Sequence, residues 1–157
     1  MTARFVNTDL GMTLPKTILV PTDFSDSAEE ALDYAIALAG KLGATVHLLN
    51  VITIPALGVP ELGVALTSTM MESTVRSNQG ALDKLATCRA SANLDTILRT
   101  GDARDVIVDV AREIGADLIV MGTHGRRGVR RALLGSIAEG VLRTAPCPVL
   151  TIRQHKD

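Results

Sequence analysis

Fifteen residues, Gly122–Ser136, hold four glycines and four arginines (Arg126, Arg127, Arg130 and Arg131), with no acidic side chain among them. Glycine lets backbone amides approach a ligand with no Cβ in the way. The stretch follows Asp117-Leu-Ile-Val-Met121, an apolar run that reads as a buried strand. It leads into Ser136-Ile-Ala-Glu139, which reads as a capping box opening a short helix. A helix start presents unpaired N–H groups and a partial positive charge. Strand, glycine loop and helix start in that order make an anion site, and the chemistry is binding of a nucleotide or similar phosphate ester. The same composition also fits a structural loop with a solvated basic face, in which Ser136 and Glu139 are only a helix cap. The loop alone leaves both readings open.

Two other phosphate loops are excluded. A Walker A loop needs a lysine beside the helix start, and Lys16, Lys41, Lys84 and Lys156 all lie elsewhere. The dinucleotide fingerprint G-x-G-x-x-G differs in spacing from the G-x-x-G-x-x-G found here. That fingerprint also follows the first strand of its unit, whereas this loop comes late in the chain.

The elements that must position such a loop are legible in composition and period. A chain of 157 residues suits one domain with a proper core. Its hydrophobic residues, 46% of the total, are nearly all aliphatic, with no Trp, one Tyr and two Phe. Parallel sheets covered by helices are built from such residues. A formal net charge of −1 excludes a polybasic nucleic-acid surface and leaves the arginines as a local cluster. Cys88 and Cys147 have neither metal-ligand nor redox-motif spacing, and they read as small buried or half-buried residues of a cytoplasmic chain. No export signal is expected at the N-terminus, and no apolar run is long enough to span a membrane. Residues 1–15, ending at Pro15, read as a loosely held arm.

Thr17-Ile-Leu-Val-Pro21 reads as a first strand ended by its proline, with Thr22-Asp23-Phe24-Ser25 as the turn and Ser25 as a helix cap. Ala28, Ala31, Leu32, Ala35, Ile36, Ala39 and Leu42 then share one helical face, closed by Gly43. Ala44–Ile52 reads as a second buried strand, completing a parallel crossover unit. Residues 53–66 carry Pro55, Gly58, Pro60 and Gly63 and read as a loop that covers a ligand or packs on a partner chain. A helix is expected over Thr67–Ser91, weakened at Gly80, with Met70 and Met71 as core residues. Leu94–Thr100 reads as a third strand and Asp102–Ile114 as a helix closed by Gly115. The fourth strand, the glycine loop, a helix over Ser136–Thr144 and a last strand over Val149–Ile152 follow. Strict β-α alternation predicts an α/β fold, one open parallel sheet with helices on both faces.

In such sheets ligands bind outside the carboxyl ends of the strands, where strand order reverses. Asp23 follows the first strand and the glycine loop follows the fourth, so both belong to that edge. If those strands are neighbours, one crevice has the basic loop on one side and a carboxylate suited to a ribose hydroxyl or magnesium on the other. Taken alone, Asp23 reads as a turn former or helix-start charge.

Together these residues resemble the universal stress protein family. Gly122-x-x-Gly125, nine residues and Gly135-Ser136 match that family's nucleotide motif G-2x-G-9x-G-[S/T] in full. Val20-Pro-Thr-Asp-Phe-Ser25, Ala116-Asp-Leu-Ile-Val-Met-Gly-Thr-His-Gly125 and Ala145-Pro-Cys-Pro-Val-Leu150 are similar to its first strand, fourth strand and final approach. The resemblance implies a domain over residues 16–154, a five-stranded Rossmann-like sheet of order 3-2-1-4-5, and the ATP-binding subclass. By position it implies that Pro21, Thr22, Asp23 and Val51 line adenine and ribose, with Met121 and Gly122 under the nucleoside. Gly125, Gly135, Ser136 and Ile137 would meet the phosphates; Arg126 is added to them as a candidate from the basic spacer, a local feature whose role the resemblance does not settle. ATP (or ADP or AMP) with magnesium is the implied ligand, magnesium coming through the phosphates near Asp23. The family frequently has His where this chain has Asn50, which touches fine specificity only.

The resemblance implies a regulatory stress-response protein that holds ATP. The alternatives are a slow ATPase or self-phosphorylating enzyme and a dimerisation module with a vestigial pocket. Hydrolysis needs a positioned base, and the nearby acids are Asp23 and Glu139, the latter read as the capping partner of Ser136. No catalytic residue is therefore assigned, and no protein-held metal. Val149–Ile152 would be an edge strand, which pairs with the same strand of a second copy to form a homodimer. Neither a nucleic acid nor a membrane is expected as a partner.

Overall fold

The structure, a computed structural model, describes residues 13–53, 63–89, 92–123 and 134–153. Five strands and four helices alternate along it: β1 (Thr17–Thr22), α1 (Asp26–Leu42), β2 (Thr45–Ile52), α2 (Gly63–Cys88), β3 (Leu94–Thr100), α3 (Ala103–Glu113), β4 (Leu118–Gly122), α4 (Ser136–Thr144) and β5 (Val149–Ile152). All pairings are parallel, and the strand order is β3-β2-β1-β4-β5. The α/β class, the parallel sheet and its order agree with the sequence expectation.

Period-2 alternation along each strand divides the core into two layers. Ile18, Val20, Val46, Leu48 and Val120 face Ala31, Leu32 and Ala35 of α1 and Leu82 of α2. Leu19, Leu49, Ile119 and Met121 face Ile107, Val110 and Ala111 of α3 and Ala138 and Val141 of α4. The small alanines of α1 let that helix lie close to the sheet. The side chains of Ile18, Leu19, Leu32, Leu48 and Ile119 are fully buried, and truncating any of them to Ala would cost about 2–5 kcal/mol.

Several boundaries differ from the sequence reading, each for a physical reason. Pro21 does not end β1, which runs on to Thr22. The Lys16 carbonyl accepts from Thr45 of the β2 side, and the Thr17 carbonyl accepts from Asp117 of the β4 side. By alternation Pro21 therefore turns towards β4, where the β1–β4 ladder covers only Ile18↔Leu118 and Leu19↔Ile119. Its missing N–H falls beyond that ladder and costs no hydrogen bond there. Helix α2 begins at Gly63, four residues before the expected start, so Gly63 opens the helix and does not belong to a loop. It also runs through Gly80, where an added Cβ would meet nothing within 4 Å. The residues from 54 to 62, and with them most of the expected covering loop, lie outside the described residues. Met70 is not core: it is 66% exposed. Cys88 is exposed rather than buried, and Cys147 is half-buried; burial raises the Cys147 thiol pKa.

Candidate functional site

Strand order reverses between β1 and β4, and there the sheet opens. β1 pairs β2 in register from Thr17↔Thr45 to Thr22↔Asn50, yet it pairs β4 only at Ile18 and Leu19. With Pro21 turned to that side, no ladder hydrogen bond from its nitrogen can close the gap. This is the switch point at whose carboxyl edge open parallel sheets form their ligand crevice, flanked here by the turn after β1 and by the chain leaving β4.

The turn after β1 is held in place by its own side chains. Thr22 Oγ1 accepts from the Phe24 N–H at 3.0 Å. Asp23 Oδ1 accepts from the Ser25 N–H at 3.1 Å and from the Ser25 hydroxyl at 2.5 Å. Ser25 then caps α1, its Oγ accepting from the Ala28 N–H at 3.4 Å. Phe24 has a φ of +62°, a left-handed conformation costing a non-glycine residue roughly 1–2 kcal/mol. Its packing against the α1–α2 layer offsets that cost. Asp23 is thus a turn former at the crevice, as its sequence position allows.

The chain leaving β4 is pinned at one residue. Thr123, buried, donates its N–H to the Ile152 carbonyl at 3.0 Å, and its own carbonyl accepts from Gly135 N–H at 2.7 Å. The spacer between them therefore starts and finishes at the same point of the sheet edge, delivering α4 to the crevice. Sequence reasoning passed over Thr123; a threonine between two motif glycines carries no periodic signal.

The start of α4 departs from the expected capping box. The cap residue is Gly135, which has no side chain to accept from the helix, and Ser136 is the first helical residue. Glu139 does not reach back to Ser136; its carboxylate accepts from Arg143 at 2.8 Å. The first intrahelical bond runs from the Glu139 N–H to the Gly135 carbonyl at 2.9 Å. The amides of Ser136, Ile137 and Ala138 precede it and receive no cap from the Gly135 side chain. Helices α1 and α3 differ. Ser25 caps the first, and Asp102 caps the second by accepting from the Arg104 and Asp105 N–H groups. The Asp105 N–H above all lowers the Asp102 pKa from its ordinary 3.8.

The sequence-assigned residues that the structure describes fall in three places. Val51 and Met121 pack with the α3–α4 layer, and Pro21 shares that face by alternation with Leu19. Thr22 and Gly122 end β1 and β4 at the crevice, and Asp23 directly follows Thr22. Gly135, Ser136 and the 44%-exposed Ile137 begin α4. Gly125, Arg126 and the other three arginines lie outside the described residues. Gly122 has a packing duty that the motif reading missed. A Cβ there would overlap the Ser27 hydroxyl and lie 2.9 Å from the Ser27 carbonyl.

A model of the universal stress protein family matches residues 15–153. The chain belongs to that family. Universal stress protein MJ0531 of Methanocaldococcus jannaschii is 36% identical over 148 residues, covering 93% of this chain and 86% of the relative. Universal stress protein UspA of Lactobacillus plantarum superimposes with a TM-score of 0.80 at 30% identity, covering 88% of this chain and 97% of that one. A universal stress protein in complex with cAMP shares the fold, with a TM-score of 0.60 at 24% identity over 89% of this chain and 98% of that one. Among the described residues no helix is long and apolar enough to cross a membrane.

Proposed function

We propose that this universal stress protein is a regulatory protein that binds ATP, nucleoside in the β1–β4 crevice and phosphates on the start of α4. The observation that carries this reading is the glycine-capped N-terminus of α4, tied by Gly135 to the edge where the sheet opens. First-turn amides without a side-chain cap are suited to phosphate oxygens, and the helix dipole adds to the attraction. Ser136 and Ile137 contact the phosphates through those amides, with Gly125 and Arg126 from the spacer. Gly135 serves differently from the other glycines. Its own N–H is engaged by Thr123, and its bare Cα leaves room for the ligand. Pro21, Val51 and Met121 give the adenine an apolar bed, and Thr22, Asp23 and Gly122 flank the ribose. Magnesium travels with the triphosphate, on the side of Asp23.

Holding, rather than hydrolysing, is the favoured role. Asp23 Oδ1 is committed to Ser25 and the Glu139 carboxylate to Arg143, which suits neither to the part of a general base. The subunit acts as a homodimer through β5, whose outer edge has no strand beside it among the described residues.

Calorimetric titration with ATP, ADP, AMP, cAMP and adenosine tests the reading. ATP should bind at least tenfold more tightly than adenosine, since a charge-assisted hydrogen bond contributes about 1.5–3 kcal/mol. Adenosine binding as tightly as ATP would remove the phosphates from α4.

A further inference from the structure

Asn50 is 3% exposed and sits near the end of β2, opposite Thr22 in the ladder. By alternation with Leu48 it faces the α1–α2 layer, the opposite side of the sheet from Val51 and Met121. Its Nδ2 donates to the Thr22 carbonyl at 2.8 Å, and its Oδ1 accepts from Asn78 Nδ2 of α2 at 2.8 Å. The direction of this chain is fixed by chemistry. A backbone carbonyl only accepts, so the Asn50 amide nitrogen must face Thr22. That leaves the amide oxygen for α2, where only a donor satisfies it, and Asn78 presents one. Thr22 in turn holds Phe24 through its hydroxyl, and Phe24 and Asn78 line the same groove between α1 and α2.

We propose that Asn50 is a positioning residue. It ties the Thr22–Ser25 turn at the crevice to helix α2 through Asn78, so that the turn and α2 move as a unit. Two contacts on the far face of the sheet, the Asn50–Asn78 bond and the Phe24 packing, then link the crevice to α2. Helix α2 is the element that reports whether the crevice is filled; this last step rests on the nucleotide reading above.

The test uses Asn78→Ala and Asn78→Asp, since Asn78 is only half-buried and lies on the face away from the crevice. Asp keeps the shape of Asn but turns the donor into an ionised acceptor facing Asn50 Oδ1, so a role in packing alone predicts that Asn78→Asp departs from the native protein less than Asn78→Ala does. The relay predicts that both variants fail alike. Amide exchange of the nucleotide-free protein, followed by NMR, should be about tenfold faster at Phe24 and Ser25 in both. Exchange at Val108 and Val110 of α3 should be unchanged. ATP affinity should fall by about threefold to tenfold in both variants, although Asn78 is none of the residues assigned to the nucleotide. Native exchange at Phe24 and Ser25 in either variant overturns the proposal, as does an equal rise in α3. Unchanged ATP affinity beside faster turn exchange overturns the reporting role. If the native protein itself binds no ATP, the functional reading falls, and the exchange measurement still decides whether Asn50 positions the turn.

Discussion

Gly122 and Ser27 meet where β4 passes under the first turn of α1, so closely that a Cβ on Gly122 would lie 2.9 Å from the Ser27 carbonyl. The packing of α1 thus requires a glycine here, apart from any part Gly122 plays in the proposed nucleotide site. Gly122→Ala should therefore lower stability by about 1–3 kcal/mol, the usual cost of overpacking. Combining it with Ser27→Ala removes the hydroxyl overlap and leaves the carbonyl one, so only part of the loss should return. Urea denaturation of the three proteins checks this. Native stability in Gly122→Ala would show that α1 gives way freely.

Asp23 builds its turn and, in the proposed reading, flanks the ribose, and two substitutions separate these duties. Asp23→Asn keeps an oxygen for the Ser25 N–H and hydroxyl and removes the charge. It should leave the unfolding midpoint nearly unchanged and weaken ATP by about tenfold, the range for a charge-assisted hydrogen bond. Asp23→Ala should lower stability by about 1 kcal/mol as well, because the turn that sets the Ser25 cap is lost. Equal ATP affinity in all three proteins would make Asp23 a turn former alone.

The edge of β5 gives a position-specific prediction. The carbonyls of Pro148 and Ile152 accept from Ile119 and Thr123 on the β4 side. By alternation Val149 and Thr151 point their N–H and C=O groups outward. Thr151→Pro should therefore abolish the proposed homodimer and leave the subunit folded, whereas Leu150→Pro should break the β4 pairing and destabilise the subunit by about 1 kcal/mol or more. Light scattering at micromolar concentration, paired with urea denaturation, distinguishes the two. A dimer that survives Thr151→Pro would place the interface elsewhere.

Sequence carried the layers better than the edges. The alanine and leucine period of α1 and the apolar strands predicted the sheet and its helices, because burial repeats along an element. Pro21 misled, since a proline stops a strand only where its absent N–H faces a ladder, and that direction comes from pairing. Gly135-Ser136 misled because either residue type caps a helix; the Thr123–Gly135 bond decides between them. Phe24 in a left-handed turn contradicts residue preference and had no visible signal. Asn50 and Asn78 are 28 residues apart, and nothing in either local pattern announces that they meet.

The most direct measurement is a calorimetric titration of ATP into the native protein and into Gly135→Val. Gly135 has φ −71° and ψ 154°, extended backbone that a β-branched residue accepts, so the fold should stand. Its isopropyl group would fill the approach to the first turn of α4. The native protein should bind ATP saturably, and Gly135→Val should lose at least a hundredfold in affinity with its circular dichroism unchanged if the phosphates sit on the start of α4. Equal affinity in the two proteins would contradict that placement.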